Sequence, residues 1–196
     1  MTRTNNGADW TLPGTVKDRQ SVTRDWQTVD QPLIDGVAVV EVKNVVTSRG
    51  HLTEIYRADW NLTPGNVAQV FQTVLEPGAI SAWHAHAKTT DRLFAAHGRI
   101  LIVLYDARRG SPTYGRLNQF RFGAVRPALV TVPAGIWHGV QNVASSPSIL
   151  LNLVSECYSY EDPDHYRLPI DTKEIPFQFQ SRLADALAQA GETKSS

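Results

Sequence analysis

Seven stretches, at 37–42, 52–60, 67–75, 99–105, 117–122, 129–132 and 149–154, are rich in β-branched and other apolar residues. Turn-forming clusters separate them: Thr63-Pro64-Gly65, Glu76-Pro77-Gly78, Gly110-Ser111-Pro112, Pro133-Ala134-Gly135 and Ser145-Ser146-Pro147. Many short strands broken by frequent turns predict a β-sandwich or barrel. Residues 1–30 show no sustained period, and Trp10 and Trp26 are their only large anchors. They are read as an arm ahead of a domain at 31–180. At 181–196, Leu183, Ala184, Leu187 and Ala188 fall on one face of a helix before Gly191 and a polar tail. One short amphipathic helix is expected there.

Composition narrows the function more than the fold. The chain has 196 residues, enough for one ordinary domain with tails. Nineteen basic residues balance nineteen acidic ones. A neutral chain has no bulk charge with which to hold a phosphate backbone, so no nucleic-acid partner is expected. The apolar runs are far too short to span a bilayer, so no membrane role is expected. No leader-like pattern opens the chain, and a cytoplasmic protein is expected. The single cysteine, Cys157, excludes an internal disulfide and any paired-cysteine metal or redox site. A small-molecule substrate is the remaining partner class.

Histidine carries the candidate chemistry. His84 and His86 are two apart in a stretch that reads as a strand, so the period of two puts both rings on one face. Asp91 opens the next apolar stretch, and His138 follows Pro133-Ala134-Gly135-Ile136-Trp137. Two imidazoles from one strand, a carboxylate from its neighbour and a third imidazole from a distant strand converge only inside a barrel. Such a set suits one divalent transition metal ion (Zn, Fe, Mn, Ni or Cu) and leaves positions open for substrate. Other residues read more plainly. Arg92 alternates away from Asp91 and is expected to pack. Trp83 and Trp137 read as core, His97 as strand or pocket rim, and His51 and His165 as surface residues.

The spacings Gly78…His84-x-His86…Asp91…Gly98 and Pro133-x-Gly135-x-x-His138-x-x-x-Asn142 resemble the two metal-binding motifs of the cupin superfamily, with Asp91 where the first motif has Glu. The segment Asp106-Ala107-Arg108-Arg109-Gly110-Ser111-Pro112-Thr113-Tyr114-Gly115 resembles the signature loop of the dTDP-4-dehydrorhamnose 3,5-epimerases, a cupin family of sugar-nucleotide enzymes. Arg49-Gly50-x-Leu52-x-Glu54 is similar to that family's early strand, His138-Gly139 to its histidine-glycine pair, and 158–176 to its tyrosine-to-aspartate segment. The resemblance covers roughly 36–177. It implies an all-β, cupin-type double-sheet barrel (jelly roll), here with a short C-terminal helix, and a homodimer formed by exchange of N-terminal strands.

It also implies roles. Arg49 and Glu54 would hold a nucleotide, and Gln69 would contact substrate. His84 paired with Asp171 would remove a proton beside a sugar ketone. The family's enolate-stabilising lysine maps to Asp91 and its proton-donating tyrosine to Asn152, a substrate-facing position. The arginine three before the histidine is Ser81, and the glutamine two after it is His86. These replacements remove a cation and complete a metal-type set of His84, His86, Asp91 and His138, whose ion would do the lysine's work. Tyr158 or Tyr160 is left to return the proton. The expected function is therefore a metal-assisted isomerase or epimerase of a keto-sugar or related hydroxy-carbonyl compound. A metal-dependent oxygenase of a small organic acid or diketone, and a non-catalytic binding module, are the alternatives.

Overall fold

The computed structural model of the chain describes residues 10–26, 29, 31–63 and 65–180. The helix expected over 181–196 lies outside them. The chain divides into two compact units, Met1–Pro32 and Leu33–Ser196. In the first, Leu12 N donates to Thr15 Oγ1 at 3.0 Å to close a turn. Trp10 and Trp26 are 78% and 85% exposed.

The second unit is built from strands, as expected for an all-β cupin-type barrel. They are β1 (Ala38–Glu41), β2 (Asn44–Thr47), β3 (Gly50–Thr53), β4 (Gln69–Leu75), β5 (Ile80–Ala85), β6 (Asp91–His97), β7 (Arg99–Asp106), β8 (Leu117–Gly123), β9 (Ala128–Val132), β10 (Ile136–Asn142), β11 (Ser148–Val154) and β12 (Tyr166–Arg167). One sheet runs β1-β9-β6-β11-β4 and the other β12-β5-β10-β7-β8, with β2 and β3 forming a separate hairpin. Neighbouring strands are antiparallel throughout.

The stretch 52–60 was expected to be one strand, but β3 ends at Thr53 and Ala58–Trp60 form a 3-10 turn. The Arg57 guanidinium bonds both Asp59 and Glu54, bracing a bent rather than an extended path. Tyr56 and Trp60 then meet edge to face, 6.5 Å apart.

Central strands are apolar on both faces because both faces are covered. In β7, Ile100, Ile102 and Leu104 join the main core with Leu93, Ala95, Phe120, Val130 and Leu150. Leu101 and Val103 face the opposite way, into a cluster with Trp83, Ile175, Phe177 and Phe179. Trp83 is fully buried and packs on Phe177 and Phe179 at ring separations of 6.2 and 5.1 Å. It is core, as its sequence context suggested.

The turn from β6 to β7 is a single glycine. Gly98 has φ +74°, and a Cβ there would stand 2.1 Å from Ser148 Oγ. Both the left-handed backbone and the close approach exclude a side chain. Among the described residues no helix is long and apolar enough to cross a membrane.

Candidate active site

The two sheets enclose a cavity of about 910 Å³ whose wall includes His84, His86, Asp91, His138, Asn152 and His165. The strand register assembles it. His84 of β5 lies directly opposite His138 of β10, so the two rings share a face, 5.9 Å apart. Asp91 opens β6 in the facing sheet. Asn152 of β11 is beside it, across from Leu93. On the far side β12 adds to β5, with Arg167 opposite His84 and Tyr166 opposite Ala85.

Among the described residues, His86, Asp91 and His138 form a group of metal-type donors whose ligand atoms all lie within 4.8 Å of one another. Asp91 Oδ2 is 3.2 Å from His86 Nε2 and 3.0 Å from His138 Nε2. Two donors that each sit about 2.1 Å from one ion stand roughly 3.0–3.4 Å apart, so the spacing fits a transition-metal shell.

The outer nitrogens fix the rings. His138 Nδ1 bonds the Ile136 carbonyl at 3.1 Å, and His86 Nδ1 bonds the Asp164 carbonyl. A carbonyl oxygen only accepts, so both Nδ1 atoms carry hydrogen. In the neutral rings both Nε2 atoms then point lone pairs at a carboxylate oxygen. Three electron-rich atoms meeting this closely require positive charge between them, either protons on the rings or one cation. This orientation of imidazoles by backbone carbonyls is usual among metal-ligating histidines.

The electrostatics follow. Burial alone would raise the Asp91 carboxyl, yet hydrogen bonds from His138 and His86 hold it far below the ordinary carboxylate value. Burial pushes His86 down, but Asp91 and the Asp164 carbonyl outweigh it and the net direction is upward. Asn152 Nδ2 donates to Asp91 Oδ1 at 3.1 Å, and Asn152 Oδ1 accepts the Arg92 amide at 3.2 Å. Arg92 points the other way, with Nη1 on the Asn66 carbonyl and its guanidinium over the Tyr56 ring.

Three of the four expected ligands thus converge, and His84 does not join them. Its Nε2 is 3.0 Å from Ser81 Oγ and its Nδ1 is 2.7 Å from His165 Nε2. The ring lines the same cavity but belongs to a second cluster. Burial, and then the neighbouring His138, His165 and Arg167, push His84 down to about 3, so it is neutral at physiological pH.

Asp171 requires a correction. It is exposed in the turn at 170–171 and is not part of the cavity wall. His84 instead pairs through Nδ1 with His165, which was expected at the surface. Arg49 and Glu54 also lie off the cavity wall. The Arg49 amide donates to Thr47 Oγ1 in the β2–β3 turn, and Glu54 pairs with Arg57 at 3.3 Å. Gln69 does line the cavity, where its Oε1 accepts the Tyr158 amide at 2.9 Å. Tyr158 and Tyr160 line it as well, edge to face at 5.3 Å.

Asp164 is a further residue that the sequence did not single out. Its carboxylate accepts the amides of Ala87, Lys88 and Thr89 at 2.7, 2.9 and 2.9 Å. Its own carbonyl holds His86. No local spacing signals this role, because the partners are more than seventy residues away in sequence.

A family model described as dTDP-4-dehydrorhamnose 3,5-epimerase matches residues 31–190. The chain belongs to that family. Among curated relatives, the probable low-salt glycan biosynthesis epimerase Agl13 of Haloferax volcanii is 35% identical over 141 residues, 71% of this chain and 90% of its own length. The spore coat polysaccharide biosynthesis protein SpsL of Bacillus subtilis is 32% identical over 151 residues, 77% of this chain and 99% of its own. Among solved structures, a dTDP sugar isomerase from Desulfovibrio desulfuricans G20 superposes with a TM-score of 0.69 at 25% identity, covering 74% of this chain and 92% of that one. NovW, a 4-keto-6-deoxy sugar epimerase from Streptomyces spheroides, shares the fold at a TM-score of 0.69 and 22% identity, covering 82% and 89%. As a member of the dTDP-4-dehydrorhamnose 3,5-epimerase family, the chain is an enzyme of epimerase-like function.

Proposed function

We propose that the chain inverts a stereocentre beside the keto group of a nucleotide-linked sugar, with His84 as the base and a divalent transition metal ion held by His86, Asp91 and His138. The observation that carries this reading is the convergence of His86 Nε2, His138 Nε2 and Asp91 Oδ2 in a cavity that also presents the neutral imidazole of His84. When bound, the ion supplies Lewis acidity toward the keto oxygen, the task given to a lysine in the family pattern.

The chain's own residues prepare that chemistry. Asp91 stays ionised because two imidazoles bond one oxygen and Asn152 bonds the other. Asn152 stands at the family's tyrosine position, but its amide is committed to Asp91 and is no acid. Tyr158 and Tyr160 are the phenols in the cavity wall and are assigned the return of the proton. Lys88 and Arg167 share the cavity wall with Glu156, Asp162 and Asp164, and it is the family relationship that favours a nucleotide-linked sugar. The volume of about 910 Å³ suits a ligand of that size.

Elemental analysis of protein purified without added metal or chelator tests the metal. NMR of dTDP-4-keto-6-deoxyglucose incubated with the protein in D2O tests the chemistry. We expect close to one transition-metal ion per chain and deuterium at a carbon flanking the ketone, both lost in His86→Gln. Full exchange by metal-stripped protein overturns the metal assignment. Oxygen consumption without exchange overturns the epimerase reading in favour of an oxygenase.

A further inference from the structure

His165 belongs neither to the metal-type donor group nor to any role implied by the family relationship, yet it sits in the cavity wall against His84. Its ring centroid is 4.8 Å from that of His84, and its Nε2 is 2.7 Å from His84 Nδ1. The neighbours of His165 are fixed on both sides. Before it, the Asp164 carboxylate gathers three amides of the loop after β5, and the Asp164 carbonyl holds His86. After it, Tyr166 and Arg167 are laddered onto Ala85 and His84. The ring is therefore delivered to His84 by two rigid attachments rather than by a free loop.

The contact has a consequence for where the His84 lone pair lies. A neutral imidazole has one N–H and one lone pair. If His84 carries its hydrogen on Nδ1, that hydrogen is donated to His165 Nε2, and the His84 Nε2 lone pair accepts from the Ser81 hydroxyl, 3.0 Å away. A turn of Ser81 about χ1 moves its oxygen off Nε2 and opens that lone pair to a substrate C–H. If His84 carries its hydrogen on Nε2 instead, the ring has no lone pair directed at the cavity. Which of the two nitrogens in the His84 Nδ1–His165 Nε2 contact carries the hydrogen decides which form exists.

We propose that His165 is the positioning residue of the base: its Nε2 accepts the His84 Nδ1–H and so turns the His84 Nε2 lone pair toward substrate. The assignment of His84 as base rests on the functional reading above, whereas the tautomer stands apart from it. In the step, the C–H bond beside the keto carbon breaks and its proton goes to His84 Nε2. The electron pair forms the carbon–carbon double bond of an enolate as the carbonyl pair moves onto oxygen. The resulting imidazolium keeps its Nδ1–H on His165. A phenol of the cavity wall (Tyr158 or Tyr160) protonates the carbon from the opposite face to return the keto form with inverted configuration, and the proton on His84 passes through solvent to the phenolate. His165 fixes the tautomer of His84 as the carboxylate of a histidine–carboxylate pair does, but it supplies no charge to stabilise the imidazolium.

The test has two arms. In the first, long-range proton–nitrogen spectra of protein labelled with 15N-histidine report each ring's tautomer, with His84→Asn assigning the signals. We expect His84 in the Nδ1–H form in the wild type and redistributed in His165→Phe, which keeps a ring but removes the acceptor. In the second, deuterium exchange into dTDP-4-keto-6-deoxyglucose is followed at varied substrate concentration. We expect kcat to fall about 100-fold in His165→Phe with KM little changed, and His165→Asp, which restores an acceptor, to recover most of it. His84 in the Nε2–H form in the wild type overturns the proposal without any His165 variant. So does a folded His165→Phe that exchanges within twofold of wild type, or a His165→Asp as inactive as the phenylalanine variant. Wild-type protein with His84 in the Nδ1–H form that exchanges no deuterium refutes the functional reading and leaves the hydrogen bond from His84 Nδ1–H to His165 standing.

Discussion

Asn152 is buried and spends both ends of its amide: one on Asp91 Oδ1, the other on the Arg92 backbone N–H. Replacing it by leucine keeps the volume and takes one hydrogen-bond partner from each of two buried polar groups. Stability should fall by about 1–3 kcal/mol, the usual cost of losing buried hydrogen bonds. With Asp91 free to turn, metal affinity should fall about 10- to 100-fold, as happens when a supporting partner of a ligand is lost. Chelator competition together with urea unfolding measures both, and wild-type values for either contradict the corresponding role. At this scale much of the site was readable. His84 and His86 share a face by the period of two, and Asp91 and His138 follow at fixed distances from glycines and a proline. The individual bonds of His84 were not readable, because ring direction depends on partners such as His165, 81 residues away. Asp171 was misplaced for a related reason. Counting along 158–176 assumes a fixed register, whereas the pairing of that segment with β5 is confined to Tyr166, Arg167 and Leu168 and ends before Asp171.

The pair of strands that carries His84 and His138 depends on how closely β5 and β10 approach. Gly139 follows His138, and a Cβ there would fall 2.4 Å from Ala82 Cβ and 2.9 Å from the tip of the Phe179 ring. The His138-Gly139 pair noted in the sequence is therefore a packing requirement beside a functional one. Gly139→Ala should push the strands apart and cost about 1–3 kcal/mol, the range for overpacking a filled interior. Ala82→Gly removes the opposing methyl, so the double variant Ala82→Gly/Gly139→Ala should regain most of that loss. Thermal or urea unfolding of the two single variants and the double checks it, and strictly additive losses would rule out the contact as the cause. Strand positions were readable wherever turn signals bracketed β-branched runs, as in β4, β7 and β11. The stretch 52–60 was not, because the chain leaves the extended path for the turn at Ala58–Trp60, beside which Arg57 reaches Glu54 and Asp59, and an apolar–polar pattern does not record such a turn.

The segment that resembles the family's signature loop, 106–115, lies off the cavity wall and works on the whole second unit instead. Asp106 is fully buried and accepts from the Arg108 amide and guanidinium and from the hydroxyls of Ser111 and Thr113. The same loop holds the start of the unit. Thr113 Oγ1 accepts the Asp35 amide, Arg108 donates to the Asp35 carbonyl, and Asn118 accepts the Ile34 amide. Ile34 is core, so one carboxylate ties the first core residue to the β7–β8 connection. Burial by itself would raise the Asp106 carboxyl, but its bonds to Arg108, Ser111 and Thr113 hold it well below the ordinary value of 3.8. A carboxyl whose folded value is depressed stabilises the fold above its unfolded value, and that contribution disappears as pH falls through the folded one. Asp106→Asn should therefore be less stable than wild type at pH 7, with the gap constant down to about pH 5. Below pH 4 the gap should narrow steadily, because protons bind the unfolded wild-type chain there and have no carboxyl to bind at that position in the variant. Asp91 and Asp164 are depressed in both proteins and cancel in the difference. Urea unfolding of the two proteins from pH 7 to pH 2 measures the gap, and a gap of one size throughout would mean that Asp106 acts through its shape and not through its charge.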